Sequence, residues 1–334
     1  MNISFTTASL KEDANRIIEL LNNNIGMKSK DRFDWMYINN KMGSPHVILA
    51  IDEDSHNTIG MVSLFPLTIN NFKNIWLAGD YFVKKEFRSL FVAMGLQKYL
   101  LVFVRNIKGT IITFPNSKSE PIIKRVGYDK LYESQRYVKL INYNKHVTQL
   151  TNKPLSKIIT PIINVYFRIR SCEFLSRNIR EHTANLSDFF DDRYIELLNK
   201  INVKYKRTRN IELLNWKYFD NPFIQNKLYT ILNNGIIIGC IIYYQSENDI
   251  VIREVVVNSE NRRKLYDCFI TDMRKNKIEK IVYYSGNDDE EHKQLVSCDF
   301  KIRKPLGNYY YCSYADNAEF IKQNILVSAS DDDM

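Results

Sequence analysis

Cysteine and histidine are scarce, with five of each in 334 residues. Cys172, Cys240, Cys268, Cys298 and Cys312 are odd in number, and no two lie at metal-ligand spacing. This excludes a fully paired disulfide framework and points to reduced, mostly buried thiols of a cytoplasmic protein. His46, His56, His146, His182 and His292 form no ligand pair either, so no metal site is expected. Long apolar runs are missing. The most apolar stretch of the middle, 158–169, holds Pro161, Asn164 and Arg168, and is too short and too polar to span a bilayer. The first residues lack a basic region followed by an apolar core, so no signal peptide is expected. No aromatic-plus-arginine nucleic-acid motif is visible, and no specific nucleic-acid partner is expected.

What is present is a half-chain echo. The run Phe33-Asp34-Trp35-Met36-Tyr37-Ile38-Asn39-Asn40 returns as Leu214-Asn215-Trp216-Lys217-Tyr218-Phe219-Asp220-Asn221, with the tryptophans 181 residues apart. After each copy comes a strand, a polar turn, an Ile-Gly pair (Ile59-Gly60, Ile238-Gly239) and a second strand. The length suits two domains of about 150 residues each, and the echo makes them duplicates. The 45% hydrophobic and 13% aromatic content suffices for packed interiors.

In the first half, Ser9 caps an expected helix over 11–24 whose apolar face holds Ala14, Ile17, Ile18, Leu20 and Leu21. A short helix is expected at 32–40, strands at 46–51, 58–67 and 74–83, and a long helix at 90–106. A short apolar strand at 110–114, a helix at 119–126 and one strand-like run at 131–142 follow. The second half repeats the order: helices at 192–201 and 211–218, strands at 227–232, 236–245 and 250–257, and a long helix at 262–275. A strand at 280–285, a helix at 290–297 and a strand at 308–314 complete it. Tyr128 and Phe300 fall at equivalent core positions. The pattern is α/β (α+β), with a mixed, mostly antiparallel sheet flanked by helices in each half. The expected organisation is an N-terminal domain 1–142, a basic helical connector 143–182, a C-terminal domain 183–327 and an acidic tail 328–334.

The net charge of +9 is uneven. Between 143 and 180 stand Lys145, Lys153, Lys157, Arg168, Arg170, Arg177 and Arg180 against the single acid Glu173, a balance of +6. One reading is a solvated linker of short helices packed over both domains. The other is a contact surface for an anionic partner, such as a phosphate-bearing ligand or a membrane face.

Three segments carry a family resemblance: "VKKEFRSLFVAMGL" (83–96), "FPNSKS" with "KRVGYDKL" (114–131), and "RTRNIELLNWKYFDNP" (207–222). On these the chain resembles the GCN5-related N-acetyltransferase (GNAT) superfamily, and within it the tandem proteins of bacterial polysaccharide loci. The resemblance implies two GNAT-like domains and acetyl-CoA or another acyl-CoA as co-substrate. In that fold a strand runs into a helix whose first turn presents backbone N–H groups to the coenzyme pyrophosphate. The corresponding stretch here is Val83, Arg88, Ser89, Leu90, Phe91, Val92 and Ala93. Arg88 and Ala93 match the family pattern, whereas Phe91 stands where glycine is expected and would narrow or reshape the phosphate site. The equivalent turn of the second half has no glycine. Its Arg262, Arg263 and Lys264 could still meet a phosphate by direct charge.

Acyl transfer to an amine needs a base and donors for the thioester oxygen. The resemblance makes Asp80 and Tyr81, on the strand before the turn, candidates for catalysis, and Asn116 a candidate lining residue of the thioester pocket. Asn116 is also good turn chemistry after Pro115. Ile123 occupies the position of the family's usual tyrosine acid. The implied function is an acyl-CoA-dependent N-acyltransferase acting on a small amine, plausibly an amino sugar or nucleotide sugar. The alternatives are a Fem-like aminoacyl-tRNA-dependent transferase and a non-catalytic GNAT-fold binding protein.

Overall fold

The computed structural model describes all residues except 1, 26–28, 70–71, 152, 171–181, 202–208, 277, 287, 326 and 328–334. Cys172, much of the expected connector after residue 170 and the acidic tail therefore lie outside the described residues.

The chain opens with strand β1 (Ile3–Thr7), helix α1 (Ala14–Ile25) and helix α2 (Ser29–Arg32), which runs on into a π-helical turn, Phe33–Ile38. Then follow β2 (His46–Asp52), β3 (Asn57–Pro66), β4 (Ile75–Val83), α3 (Leu90–Asn106), β5 (Thr110–Thr113), α4 (Glu120–Arg125), β6 (Asp129–Glu133) and β7 (Gln135–Leu140). The connector holds α5 (Asn144–Leu150) and α6 (Lys153–Arg170). The second half contains β8 (His182–Ser187), α7 (Ile195–Ile201) and α8 (Ile211–Leu214), the last again continued by a π-helical turn, Asn215–Phe219. It continues with β9 (Lys227–Asn233), β10 (Ile236–Ser246), β11 (Asp249–Val257), α9 (Ser259–Lys275), β12 (Lys280–Ser285), α10 (Asp289–Ser297), β13 (Lys301–Arg303), β14 (Asn308–Ser313) and α11 (Ala318–Asn324).

Two seven-stranded sheets result, ordered β1-β2-β3-β4-β5-β14-β6 and β8-β9-β10-β11-β12-β7-β13. Each has one parallel pairing, β4 with β5 and β11 with β12, and is otherwise antiparallel. The halves thus repeat one topology, with one difference: each gives a strand to the other. β7 runs between β12 and β13, with Tyr137 opposite Tyr283 and Val138 opposite Val282. β14 runs between β5 and β6, with Tyr311 opposite Ile112.

The run expected as one strand at 131–142 is therefore two. It breaks at buried Ser134, whose N–H donates to the carbonyl of Gly307, and the chain crosses to the second sheet there. A boundary after residue 142 separates the chain halves but not the sheets. Strands β1, β8 and β13 and helix α11 were not expected from the sequence.

The echoed residues have identifiable work. Gly60 and Gly239 sit where a strand passes under the long helix. A Cβ would lie 2.8 Å from the Phe82 carbonyl oxygen at the first and 2.8 Å from a Val257 methyl at the second, with Leu96 or Leu265 close behind. In both π-helical turns an amide reaches back five residues, Asn39 to the Asp34 carbonyl and Asp220 to the Asn215 carbonyl. The Asn-Asn-Gly turn of β9 and β10 is a two-residue hairpin with Asn234 at φ +49° and Gly235 at φ +82°.

The tryptophans meet each other. Trp35 Nε1 donates to the Trp216 carbonyl at 2.9 Å, Trp216 Nε1 donates to the Trp35 carbonyl at 3.3 Å, and the ring centroids are 5.5 Å apart. Both are buried, at 5% and 2% exposure, in one core with α1, β2 to β5, Tyr309 and Tyr311 of β14, and Ile321 of α11. A second core lies between the first sheet and α3, a third between the second sheet and α9, and a fourth under α7 and α8. Cys240, Cys268 and Cys298 are buried thiols in the second half. No helix among the described residues is long and apolar enough to cross a membrane.

Trp216→Ala empties the centre of a core that both halves build, and should cost about 3–5 kcal/mol. Because the sheets share strands, urea unfolding followed by fluorescence and by far-ultraviolet circular dichroism should give one coincident transition in wild type and variant. Two separate transitions would show that the sheets unfold independently.

Candidate active site

The pairing of β4 with β5 ends at Ala78 and Thr113. Beyond it the strands splay. β4 carries a bulge, because Val62 of β3 faces both Asp80 and Tyr81, and Asp80 takes the left-handed φ of +44°. On the other side Pro115 follows β5 and has no N–H to offer. Between them opens a polar cleft of about 260 Å³ whose lining includes Asp80, Tyr81, Gln97, Thr113, Asn116 and Ile123. The three residues expected to work on substrate thus meet at one cleft.

Their hydrogen bonds limit what each can do. The Asp80 carboxylate accepts two bonds from Arg32 Nε, at 3.0 and 3.1 Å, one from Arg32 Nη2 at 2.8 Å and one from the Tyr37 hydroxyl at 2.6 Å. Tyr37 is also 2.7 Å from Ser63 Oγ. Burial alone would lower the Arg32 pKa, but the charge and hydrogen bonds of Asp80 outweigh it and raise it. Burial, reinforced by Asp80, raises Tyr37 well above its ordinary value. Asp80 is thus a clamped anion, with its lone pairs engaged where a free base would offer them.

Tyr81 donates its hydroxyl to the Ala93 carbonyl at 2.8 Å, and burial pushes its pKa well up. It ties the bulge to α3 in the protonated form. Asn116 Oδ1 accepts from the amides of Lys118 at 2.9 Å and Ser119 at 3.1 Å, so it builds the turn into α4 while lining the cleft. Ile123, at the position of the family's acid, is buried. Gln97 Oε1 accepts from the Tyr128 hydroxyl at 3.0 Å.

The turn from β4 into α3 leads away from this cleft. Ser89 is the N-cap of α3, its Oγ accepting from the Val92 amide at 3.3 Å. Arg88 Nε donates to the Val83 carbonyl at 3.1 Å and holds the turn closed behind the strand. Val83, Val92 and Ala93 are buried, whereas Arg88, Ser89, Leu90 and Phe91 are exposed. The Phe91 side chain, at the position where the family pattern expects glycine, is 66% exposed and stands out in solvent. The first turn of a helix has amides without intrahelical acceptors, and this one faces water.

The second half repeats the clamp. Arg209 Nε and Nη2 donate to Glu254 at 3.1 and 2.5 Å, and the Tyr218 hydroxyl donates to the same carboxylate at 2.9 Å. Here too the strand bulges, at Arg253. The adjoining space, however, holds only about 20 Å³, walled in part by Met42 of the first half. Arg262 and Arg263 do not face a phosphate position. Arg262 pairs with buried Glu291 at 3.1 Å, and Arg263 pairs with Asp267 at 3.0 Å and donates to the Ser297 carbonyl at 2.6 Å. Glu291 also accepts from Tyr283 and Ser285, and burial raises its pKa against the pull of Arg262. In this copy Arg262, Glu291, Tyr283 and Ser285 form a hydrogen-bonded network at the end of the parallel pair. The arginine–carboxylate–tyrosine clamp was not read from the sequence. A signal existed, since Tyr37 and Tyr218 share the echo, but Arg32 lies three residues before its tryptophan and Arg209 seven.

No family model matches the sequence, and none of the curated proteins matches it. Solved structures do. A conserved protein of unknown function from Enterococcus faecalis, described as a probable N-acyltransferase, aligns over 94% of this chain and 73% of its own at 12% identity and a TM-score of 0.66. A GCN5-related N-acetyltransferase from Anabaena variabilis aligns over 94% and 73%, at 12% identity and a TM-score of 0.63. A tandem GNAT protein from the clavulanic acid biosynthesis pathway aligns over 94% and 99%, at 8% identity and a TM-score of 0.55. The fold is thus a tandem GNAT fold.

Asp80→Asn keeps the size and the tolerance of positive φ but leaves Arg32 buried without its counter-charge. It should destabilise the protein by about 3–5 kcal/mol in urea unfolding. Arg32→Met added to Asp80→Asn should recover part of that loss. A stable single variant would show that the clamp is not holding the bulge.

Proposed function

We propose that the chain is an acyl-CoA-dependent N-acyltransferase, in its simplest form an N-acetyltransferase, working at the first-half cleft with the second half as its structural copy. The observation that carries this reading is the open cleft at the β4–β5 splay, on a GNAT fold whose first α3 turn faces solvent. The residues fit such a co-substrate: Ser89, Leu90 and Phe91 offer an exposed helix N-terminus to a pyrophosphate, with Arg88 beside it, and the splay offers a slot for an acyl arm. The co-substrate, when bound, supplies the activated acyl group as a thioester.

The chain's own residues prepare the slot. Arg32, Asp80 and Tyr37 fix the bulge, Tyr81 ties it to α3, and Asn116 orders the opposite rim. Main-chain groups of β4 past Ala78 are released from pairing with β5 and can hold a carbonyl oxygen. With Asp80 clamped, we assign the amine's proton to solvent in the cleft and give Asp80 a positioning role. The cleft's polar lining suits a small polar amine, and an amino sugar or nucleotide sugar is the acceptor class we favour. Coenzyme binding without turnover is the second reading, favoured by the clamped Asp80 and by Ile123 at the acid position.

Calorimetric titration with acetyl-CoA tests the site. Ser89→Asp preserves the N-cap, since aspartate caps as well as serine, but sets a negative charge where the phosphates would lie. The wild type should bind, and Ser89→Asp should weaken binding about tenfold or more without lowering Tm. No binding at millimolar acetyl-CoA, or equal binding by the variant, would overturn the proposal. Binding without consumption of any amine in a thiol-release screen would move the reading to the non-catalytic one.

A further inference from the structure

In helix α6 the most deeply buried of the described side chains are polar. Ser156 and Thr160, at 3% and 7% exposure, are its buried residues, and Asn164 continues that face by accepting from the Tyr143 amide at 3.0 Å. Phe167 completes it, stacked on Tyr143 at 4.4 Å. The opposite face carries Leu155, Ile158, Ile162, Val165, Tyr166 and Ile169, all between 45% and 66% exposed. Their spacing of three and four residues makes one continuous apolar stripe along an 18-residue helix about 27 Å long. A helix packed on a protein normally shows the reverse arrangement, and a stripe of this size on a surface marks a contact.

Charge decides what the contact is. Residues 143–170 contain Lys145, Lys153, Lys157, Arg168 and Arg170 and not one acid. Pairing this stripe with a second copy about a two-fold axis would bring together two segments that each carry five basic residues and no acid of their own. An anionic surface compensates them and takes up an apolar stripe without needing shaped pockets. We propose that α6 docks the protein on an anionic lipid bilayer, lying in the interface plane with the Ile158–Ile162 stripe among the acyl chains and the exposed Lys157 at the headgroups. The helix lies on the membrane and does not cross it, in keeping with the Ser156, Thr160 and Asn164 side chains on its inner face.

The test is vesicle flotation of the full chain. Phosphatidylcholine vesicles carrying about 30% phosphatidylglycerol should bind the protein about tenfold or more better than pure phosphatidylcholine, with binding weakened by salt. Ile158→Glu with Ile162→Glu, both on the exposed face, should abolish flotation about tenfold or more while leaving Tm unchanged. Lys157→Glu should weaken it less. Failure of the wild type to float with anionic vesicles, or unimpaired flotation of the double glutamate variant, would overturn the proposal. So would light scattering that shows a wild-type dimer made monomeric by that variant, because the stripe would then belong to a second copy.

Discussion

Neither sheet is complete without the other half of the chain. β7 pairs in the second sheet and β14 in the first; the crossing is held at Ser134, whose N–H donates to the Gly307 carbonyl, and Trp35 and Trp216 exchange hydrogen bonds in the core that both halves build. Each buried indole N–H finds its acceptor in the other's main chain, so neither donor is left unsatisfied. The arrangement is two-fold in character, the way two identical subunits would swap a strand, but one covalent chain supplies both partners. A fused duplicate of this kind keeps symmetry at its centre, where the two tryptophans need each other, and is released from it elsewhere.

That release is visible at the two clefts. Both retain a partly buried arginine, a carboxylate on a bulged strand and a tyrosine, so the clamp belongs to the scaffold and not to one half's chemistry. What differs is the space beside it. In the second half Met42 walls the cavity, and Glu291, Arg262, Tyr283 and Ser285 form a buried network at the end of the parallel pair. In the first half Ser119 and Gln97 stand in the lining and the space remains open. A buried ion pair is a poor source of net stability, because desolvation offsets most of the attraction. Its retention in both halves fits a different use: a guanidinium fork and a phenol fix a carboxylate in orientation, and through it a backbone kink that regular β pairing would otherwise straighten.

Much of this was legible in the residues. The long helix was expected over 90–106 and lies at Leu90–Asn106, because its apolar period, the serine cap and the flanking strands agree locally. The echo announced duplication, and its two Ile-Gly pairs proved to stand where a strand passes close to the long helix. The strand exchange was not legible. Whether "QRYVKL" pairs with the sheet before it or with one 140 residues later is a non-local matter, and its alternation is the same either way. The clamp was hidden for a related reason. Arg32 ends one short helix and Arg209 precedes another, so equal side-chain positions arise from unequal sequence spacing. The family resemblance placed Asp80 and Asn116 at the site, but their engagement with Arg32 and with the α4 turn depends on neighbours that sequence order does not reveal.

The same limit explains α6. In sequence it reads as an ordinary amphipathic helix, and the natural inference is that its isoleucines face the protein, whose interior usually takes an apolar face. The structure places Ser156, Thr160 and Asn164 on the inward side, where Asn164 accepts from the Tyr143 amide and donates to the Asn142 side chain. Once that side is polar, geometry alone drives the isoleucines outward: residues four apart share a face, and the face opposite lies half a turn away. The exposed stripe follows from where the strand exchange ends. β7 delivers the chain to the second sheet, and the connector must start its return from a polar edge.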